Sequence, residues 1–430
     1  MTKLIFLLFP LAIFAQSFLI SNIPVPKTYI QNLDPYPCDE ECLEQYIDNG
    51  MIFSFLAHAQ SKLNNKNQDE IRMMNISILN LGSSTSSGKI RIAMLLPYKI
   101  IGRYAASTTN STFSYLITKN RAFELKSYKI ESEKEEDISK AISQIKSDGF
   151  HYVIAPLTKH GADTLTKLNP DIYVYFPTIN KDDVNSSSPY IFYGGIDYKA
   201  QSDMLLKEAV SPLVIFYDKS MIGRKLSIYE EKSFKNRTYL DNDRADLTSF
   251  SQEDKLFEMK NDDNLVQEDK VIKFSIPRRI TNLERQLKEN ENIVGGSFFL
   301  NTPIVKSGMI MSQLTLYDVN ATNVLSTQIN YDPLLLSMTQ YNDRKEMIVA
   351  NSITEKNNIL IESNALLSND IVYDWINYTT TVGTDYFFNM ITNDIREYSI
   401  DVQNNQMIYN IELLKPSLSR FIKYTSTIKD

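Results

Sequence analysis

Histidine is scarce in this 430-residue chain: His58, His151 and His160 are the three present, and they stand far apart. No HExxH pair or close His/Cys set occurs, so the ligand spacing of a zinc site is missing. Glycine is also low, at 13, and neither GxxxxGK(S/T), GxGxxG nor GxSxG is found. Those absences remove the glycine-rich phosphate loops of nucleotide enzymes and the nucleophile elbow of α/β hydrolases. Positive charge is not in excess: the net charge is −7, and no basic stripe marks a nucleic-acid footprint. The expectation is a protein that is not an enzyme, with no catalytic residues, no metal, no cofactor and no nucleic-acid partner.

There are two cysteines, Cys38 and Cys42, in "YPCDEECLEQYIDNG". The spacing is not CxxC, which excludes a thioredoxin-type pair, and no neighbouring histidine pair completes a metal site. In an exported chain an even, close pair predicts a disulfide. At i, i+4 on a helix the two lie on one face, where bridging requires some distortion.

Export is read from the first residues, "MTKLIFLLFPLAIFAQS": Lys3, an apolar run from Leu4 to Phe14, then Ala15. This is the charge, core and small-residue order of a secretory signal peptide, placed at 1–15. The run is shorter than the roughly 20 residues that a membrane span needs. No cysteine follows it directly, so a lipoprotein anchor is not expected. No later segment is apolar enough to span a bilayer. The mature chain is therefore expected to be periplasmic, with no membrane span.

What the chain has in quantity is apolar and aromatic residues: 43% hydrophobic, with 25 Tyr and 21 Phe. At this length two or three domains are expected. Residues 16–88 read as a short helical region, with helical spacing through Leu43, Tyr46, Ile47, Met51, Phe55 and Leu56, closed by the linker "SSTSSG" at 83–88. From Lys89 strands and helices alternate. "IRIAMLLP" is a buried strand, "EEDISKAISQIKSDG" an amphipathic helix ending at Gly149, "HYVIAPLT" a third strand and "DIYVYFPTIN" a fourth. Such alternation predicts parallel, three-layer α/β sheets in two blocks, 89–210 and 211–390. A charged, acidic stretch at about 227–270 reads as an exposed insertion holding at most a short hairpin. Residues 391–430 read as a pair of strands around Asn404-Asn405.

In open α/β sheets ligands are met beyond the carboxyl ends of the strands. The residues placed there are Arg103 and Tyr104, Thr158 and His160, Thr178 and Asn180, Tyr198, Thr302 and Asn330. Hydroxyls, amides and aromatic rings suit a polar, zwitterionic solute. Thr and Asn also cap the helices that follow such strands.

The stretches "IRIAMLLPYKIIGRYA", "GFHYVIAPLTKHGADTL", "YVYFPTIN", "YIFYGGIDYKAQSDMLLKEAV", "LVIFYDKSMIGRKL", "FFLNTPIVKSGMIMSQL" and "VGTDYFFNMI", in this order, resemble the type I periplasmic binding-protein fold. The resemblance covers about 89–425. It is closest to the branch holding the branched-chain amino-acid receptors and the C-terminal domains of LpoA-type activators of penicillin-binding proteins. It implies two lobes around a cleft, with the C-terminal strands returning towards their junction. In the receptors, a hydroxyl after the third strand and a Thr after the fourth hold the zwitterion; by position these are Thr158 and Thr178, with Asn180 nearby. The departures are Lys159 and His160, where small residues are usual, and "YKIIGRYA" in place of a Ser-Gly turn. The implied function is a receptor for a small polar, amino-acid-like solute that acts by hinge closure. The alternative is an envelope scaffold or regulator that binds a protein such as a peptidoglycan synthase, its cleft vestigial.

Overall fold

The computed structural model describes residues 30, 36, 38–59, 63–78, 89–119, 121–184, 188–248, 269–279 and 282–425. The expected signal peptide, the linker at 83–88 and the middle of the acidic stretch lie outside them.

The described chain opens with three helices, α1 (Glu40–Asp48), α2 (Ile52–His58) and α3 (Lys66–Ile78). The helical spacing read through Leu43, Tyr46, Ile47, Met51, Phe55 and Leu56 is carried by α1 and α2. The two are separated at Gly50, which takes φ +69°, a left-handed conformation that glycine adopts without a Cβ clash. Cys38 and Cys42 are bridged, their Cα atoms 5.4 Å apart. Cys38 stands before Asp39, the α1 N-cap, so the helical geometry expected of the pair does not apply. Leu43, Phe55, Leu56 and Ala59 give these helices a small core of their own.

The alternating region then runs β1 (Ile90–Leu96), α4 (Tyr98–Ile101), α5 (Tyr104–Ile117), β2 (Phe123–Lys129), α6 (Glu135–Ser147), β3 (Tyr152–Ile154), α7 (Lys159–Leu168), β4 (Tyr173–Phe176), β5 (Ile191–Tyr193) and α8 (Tyr198–Leu206). It continues with β6 (Leu213–Asp218), α9 (Met221–Thr248), β7 (Val271–Ile276), α10 (Glu284–Leu287), β8 (Ser297–Asn301), α11 (Ile304–Leu316), β9 (Asn323–Ser326), α12 (Pro333–Met338), α13 (Tyr341–Arg344), β10 (Met347–Asn351), α14 (Asn358–Leu366) and α15 (Trp375–Thr392). Four short strands end it: β11 (Asp401–Gln403), β12 (Gln406–Ile408), β13 (Glu412–Pro416) and β14 (Phe421–Lys423). The strands make two seven-stranded sheets, ordered β11-β12-β5-β4-β3-β1-β2 and β14-β13-β10-β9-β8-β6-β7. The β1–β2, β1–β3, β3–β4 and β6–β8 pairs are parallel, whereas β11–β12, β10–β13 and β13–β14 are antiparallel. No helix among the described residues is long and apolar enough to cross a membrane.

The chain divides into two compact units. The first holds Met1–Pro177, Asn357–Ile371 and Thr379–Tyr398; the second holds Thr178–Lys356, Val372–Tyr378 and Ser399–Asp430. In unit 1, β1 is buried almost throughout, as a central parallel strand covered on both faces must be. Its one charge, Arg91, is absorbed structurally: it bonds the Asp148 and Gly149 carbonyls at 2.8 and 3.0 Å and lies over the Phe150 ring. Helices α5 and α14 approach through small residues, with Ser114 and Ser363 each donating to the other's carbonyl at 3.2 and 2.9 Å.

In unit 2, Leu213, Ile215, Phe299, Leu325 and Ile348 form the sheet's contribution to a core that Leu205, Leu206 and Phe234 complete. Phe234 lies on α9, inside the stretch read as an exposed insertion. That helix runs on from β6 to Thr248, and Glu230 on it is fully buried as well. A helix that buries one narrow stripe within a charge-rich sequence has a weak period, which is why the sequence there reads as solvated.

Candidate functional site

Thr158 and His160 are at the start of α7 in unit 1. Thr158 is the N-cap residue, and the first turn of α7 points its N–H groups towards the loop after β2. Glu133, in that loop, fills the position. Its carboxylate accepts the Thr158 N–H at 2.7 Å, the Gly161 N–H at 3.1 Å and the Thr158 hydroxyl. Glu133 is only 3% exposed. Gly161 makes the approach possible, because a Cβ there would stand 2.5 Å from the Glu133 carboxyl carbon. A helix N-terminus with two amides and a hydroxyl converging on one point is a seat for an anion. In this chain the anion is one of its own side chains.

The other strand-end residues of unit 1 are more open. Gly102, at φ +55°, turns the chain out of α4 into α5. Arg103 and Tyr104 follow it, both exposed, with the guanidinium 5.2 Å from the Tyr104 ring centre. His160 is exposed too, and Lys159 pairs with Asp163 on its own helix at 2.7 Å.

In unit 2, Thr178 is exposed. Asn180 caps the short turn after it, accepting the Asp182 N–H at 3.0 Å and donating to the Ile196 carbonyl at 3.3 Å. Tyr198 opens α8 beneath the Asp197 cap, and burial pushes its hydroxyl up to about 12. Thr302 and Asn330 are brought together beyond β8 and β9, both fully buried. The Thr302 hydroxyl bonds that of Ser307 at 2.7 Å, while Asn330 donates to Ser326 Oγ at 2.7 Å and to the Thr302 carbonyl at 3.3 Å. These groups tie strand ends to each other.

Two acids outside the strand-end set, Glu133 and Glu230, are held in buried environments. One is Glu133, which sits in the charged run "ESEKEED" and reads there as the lead-in to a helix. Its position just past the end of β2 was the available signal. The other is Glu230, buried on α9, where Asn301 donates to it at 2.5 Å and Ser202 at 3.2 Å. Burial raises its carboxyl well above the usual range, and those two bonds only partly oppose the rise.

The chain's likeness to solved structures is extensive. A candidate branched-chain amino acid ABC transporter from Rhodospirillum rubrum superposes with a TM-score of 0.57 at 8% identity, over 78% of this chain and 100% of that one. The leucine-binding protein LivK from Thermotoga maritima gives 0.51 at 11% identity, over 78% and 98%. Haemophilus influenzae LpoA gives 0.50 at 9% identity, over 90% and 72%. The fold is that of the type I periplasmic binding proteins. No family model and no curated protein sequence matches the chain. At identities near 10%, what is shared with these binding proteins and with LpoA is the fold, while the side chains at the strand ends are this chain's own.

Proposed function

We propose that this chain is a non-enzymatic binding protein of the cell envelope whose ligand is another protein. The observation that carries the reading is Glu133. A receptor for a free amino acid would seat the solute's carboxylate on donors such as those of Thr158 and Gly161, and here an internal carboxylate holds them. Displacing it would leave a buried charge without its hydrogen bonds, at a cost of several kcal/mol. A partner protein does not require that seat. The helices α1 to α3 support the same reading, since Phe53, Met73 and Met74 are 65%, 54% and 55% exposed on them. Met73 and Met74 are neighbours on α3, and exposed apolar side chains that cluster, unlike single ones, mark protein contact. A peptidoglycan synthase is the partner class that the resemblance to the LpoA-type activators suggests.

A second reading keeps a small polar solute as the ligand, met in unit 1 by Arg103, Tyr104 and His160, and acting by hinge closure. Its support is that all three are solvent-accessible at strand ends.

Photo-crosslinking from Phe53 and Met74 in the native envelope separates the two. The partner reading predicts one discrete protein adduct from these positions and none from exposed Leu366. Equal labelling from all three, with saturable heat on titration with an amino acid, would replace it with the receptor reading.

A further inference from the structure

Unit 2 contains a cavity of about 380 Å³ at the carboxyl ends of β6 and β7, lined by none of Thr178, Asn180, Tyr198, Thr302 and Asn330. Its walls follow from register. Tyr217 on β6 pairs with Ser275 on β7, so both face the same side of the sheet. The two-residue period of a strand adds Lys273 to that side, and Lys219 follows Tyr217 by two. Helix α9 crosses there, presenting Arg224, Ser227 and Ile228 at i, i+3 and i+4.

Three cations therefore line one small cavity. Lys273 is neutralised by Glu231, which also binds Lys235 at 3.0 Å. The nearby Asp218 is occupied with the Ser220 N–H and hydroxyl at the start of α9. Among the described residues, neither Lys219 nor Arg224 has an ion-pair partner. The hydroxyl of Ser227 donates to the Arg224 carbonyl at 3.0 Å, while that of Ser275 has no hydrogen-bond partner among the described residues. Tyr217 and Ile228 supply an apolar wall; Ile228 is 62% exposed, unusual for its type. The volume falls within the range of small-molecule sites.

We propose that this cavity is a binding site for a small organic dianion of the phosphomonoester type. Its charged head would be held by Lys219, Arg224 and Ser275, and its apolar body by Ile228 and Tyr217. Arginine suits such a head because its planar fork meets two oxygens at once. The site lies within unit 2 and does not depend on how α7 is read.

The test is calorimetric titration of the full mature chain with phenyl phosphate and with inorganic phosphate at constant ionic strength. Saturable binding is expected, tighter for phenyl phosphate. Lys219→Gln and Arg224→Gln should each weaken it by about tenfold or more, the scale of a charge-assisted hydrogen bond. Both positions are exposed, so the fold is expected to persist, and circular dichroism checks this. Ile228→Ser should weaken phenyl phosphate but leave inorganic phosphate unchanged. No saturable binding by the folded chain, or equal binding by wild type and the Lys219→Gln/Arg224→Gln double variant, would overturn the proposal.

Discussion

Glu230 shows how one buried residue makes stability depend on pH. Its carboxyl is raised in the folded state, chiefly by burial, whereas in the unfolded chain it titrates near the ordinary value of about 4.3. The folded state therefore binds the proton more tightly. Its contribution to stability is complete below the unfolded value and is lost as pH rises towards the folded one. Glu230→Gln keeps the shape and the neighbours Asn301 and Ser202 but carries no proton to lose. Urea denaturation from pH 4 to pH 8 should show wild-type stability falling more steeply with pH than that of the variant, with the variant the more stable at pH 8. Parallel pH profiles would contradict this account. The residue scale is also where the sequence was least legible. Glu133 and Glu230 are ordinary acids in charged runs, and only the folded chain shows that one caps α7 and the other lies in a core.

At the scale of elements, legibility followed how much local chemistry marks a boundary. Helix α6 ends where Gly149 takes φ +77°, and the β11–β12 turn uses Asn404 and Asn405, both at positive φ. Asparagine tolerates that conformation, so the turn was readable from sequence. The start of α7 and the buried strand β1 were equally plain. What local chemistry does not mark was lost: the continuation of α9 into the charged stretch, and the antiparallel pairing of β13 with β10 and of β14 with β13. Helix α15 carries the sharpest packing constraint in unit 1. A Cβ at Gly383 would stand 2.1 Å from the ring of Tyr175, whose hydroxyl is fixed to the Thr379 carbonyl at 2.8 Å. Alanine ordinarily favours a helix by about 1 kcal/mol over glycine. Here the overpacking should win, and Gly383→Ala is expected to lose about 1–3 kcal/mol in denaturant unfolding. A gain in stability would show that the ring has room to move.

For the whole molecule, the type I binding-protein fold was legible from the order of strands and helices, because alternation and buried parallel strands are global patterns that survive at about 10% identity. The role of the fold was not, because it turns on which groups occupy the strand ends. Thr158 illustrates the gap. Its position fits a solute's carboxylate, and its actual partner is a side chain 25 residues earlier. Glu133 fills this seat in the folded chain, and the proposal of a protein ligand rests on its staying there.

The most direct test is the thermal stability of wild type and Glu133→Ala, each titrated with acetate and with leucine. Emptying the seat leaves the Thr158 and Gly161 N–H groups unpaired, at a cost of about 1–3 kcal/mol for each buried donor. Glu133→Ala is expected to melt lower, acetate to restore much of the loss, and neither compound to shift the wild type. A wild type stabilised by leucine, at 100 times its dissociation constant by about 2.7 kcal/mol, with the effect abolished in Thr158→Ala, would contradict it.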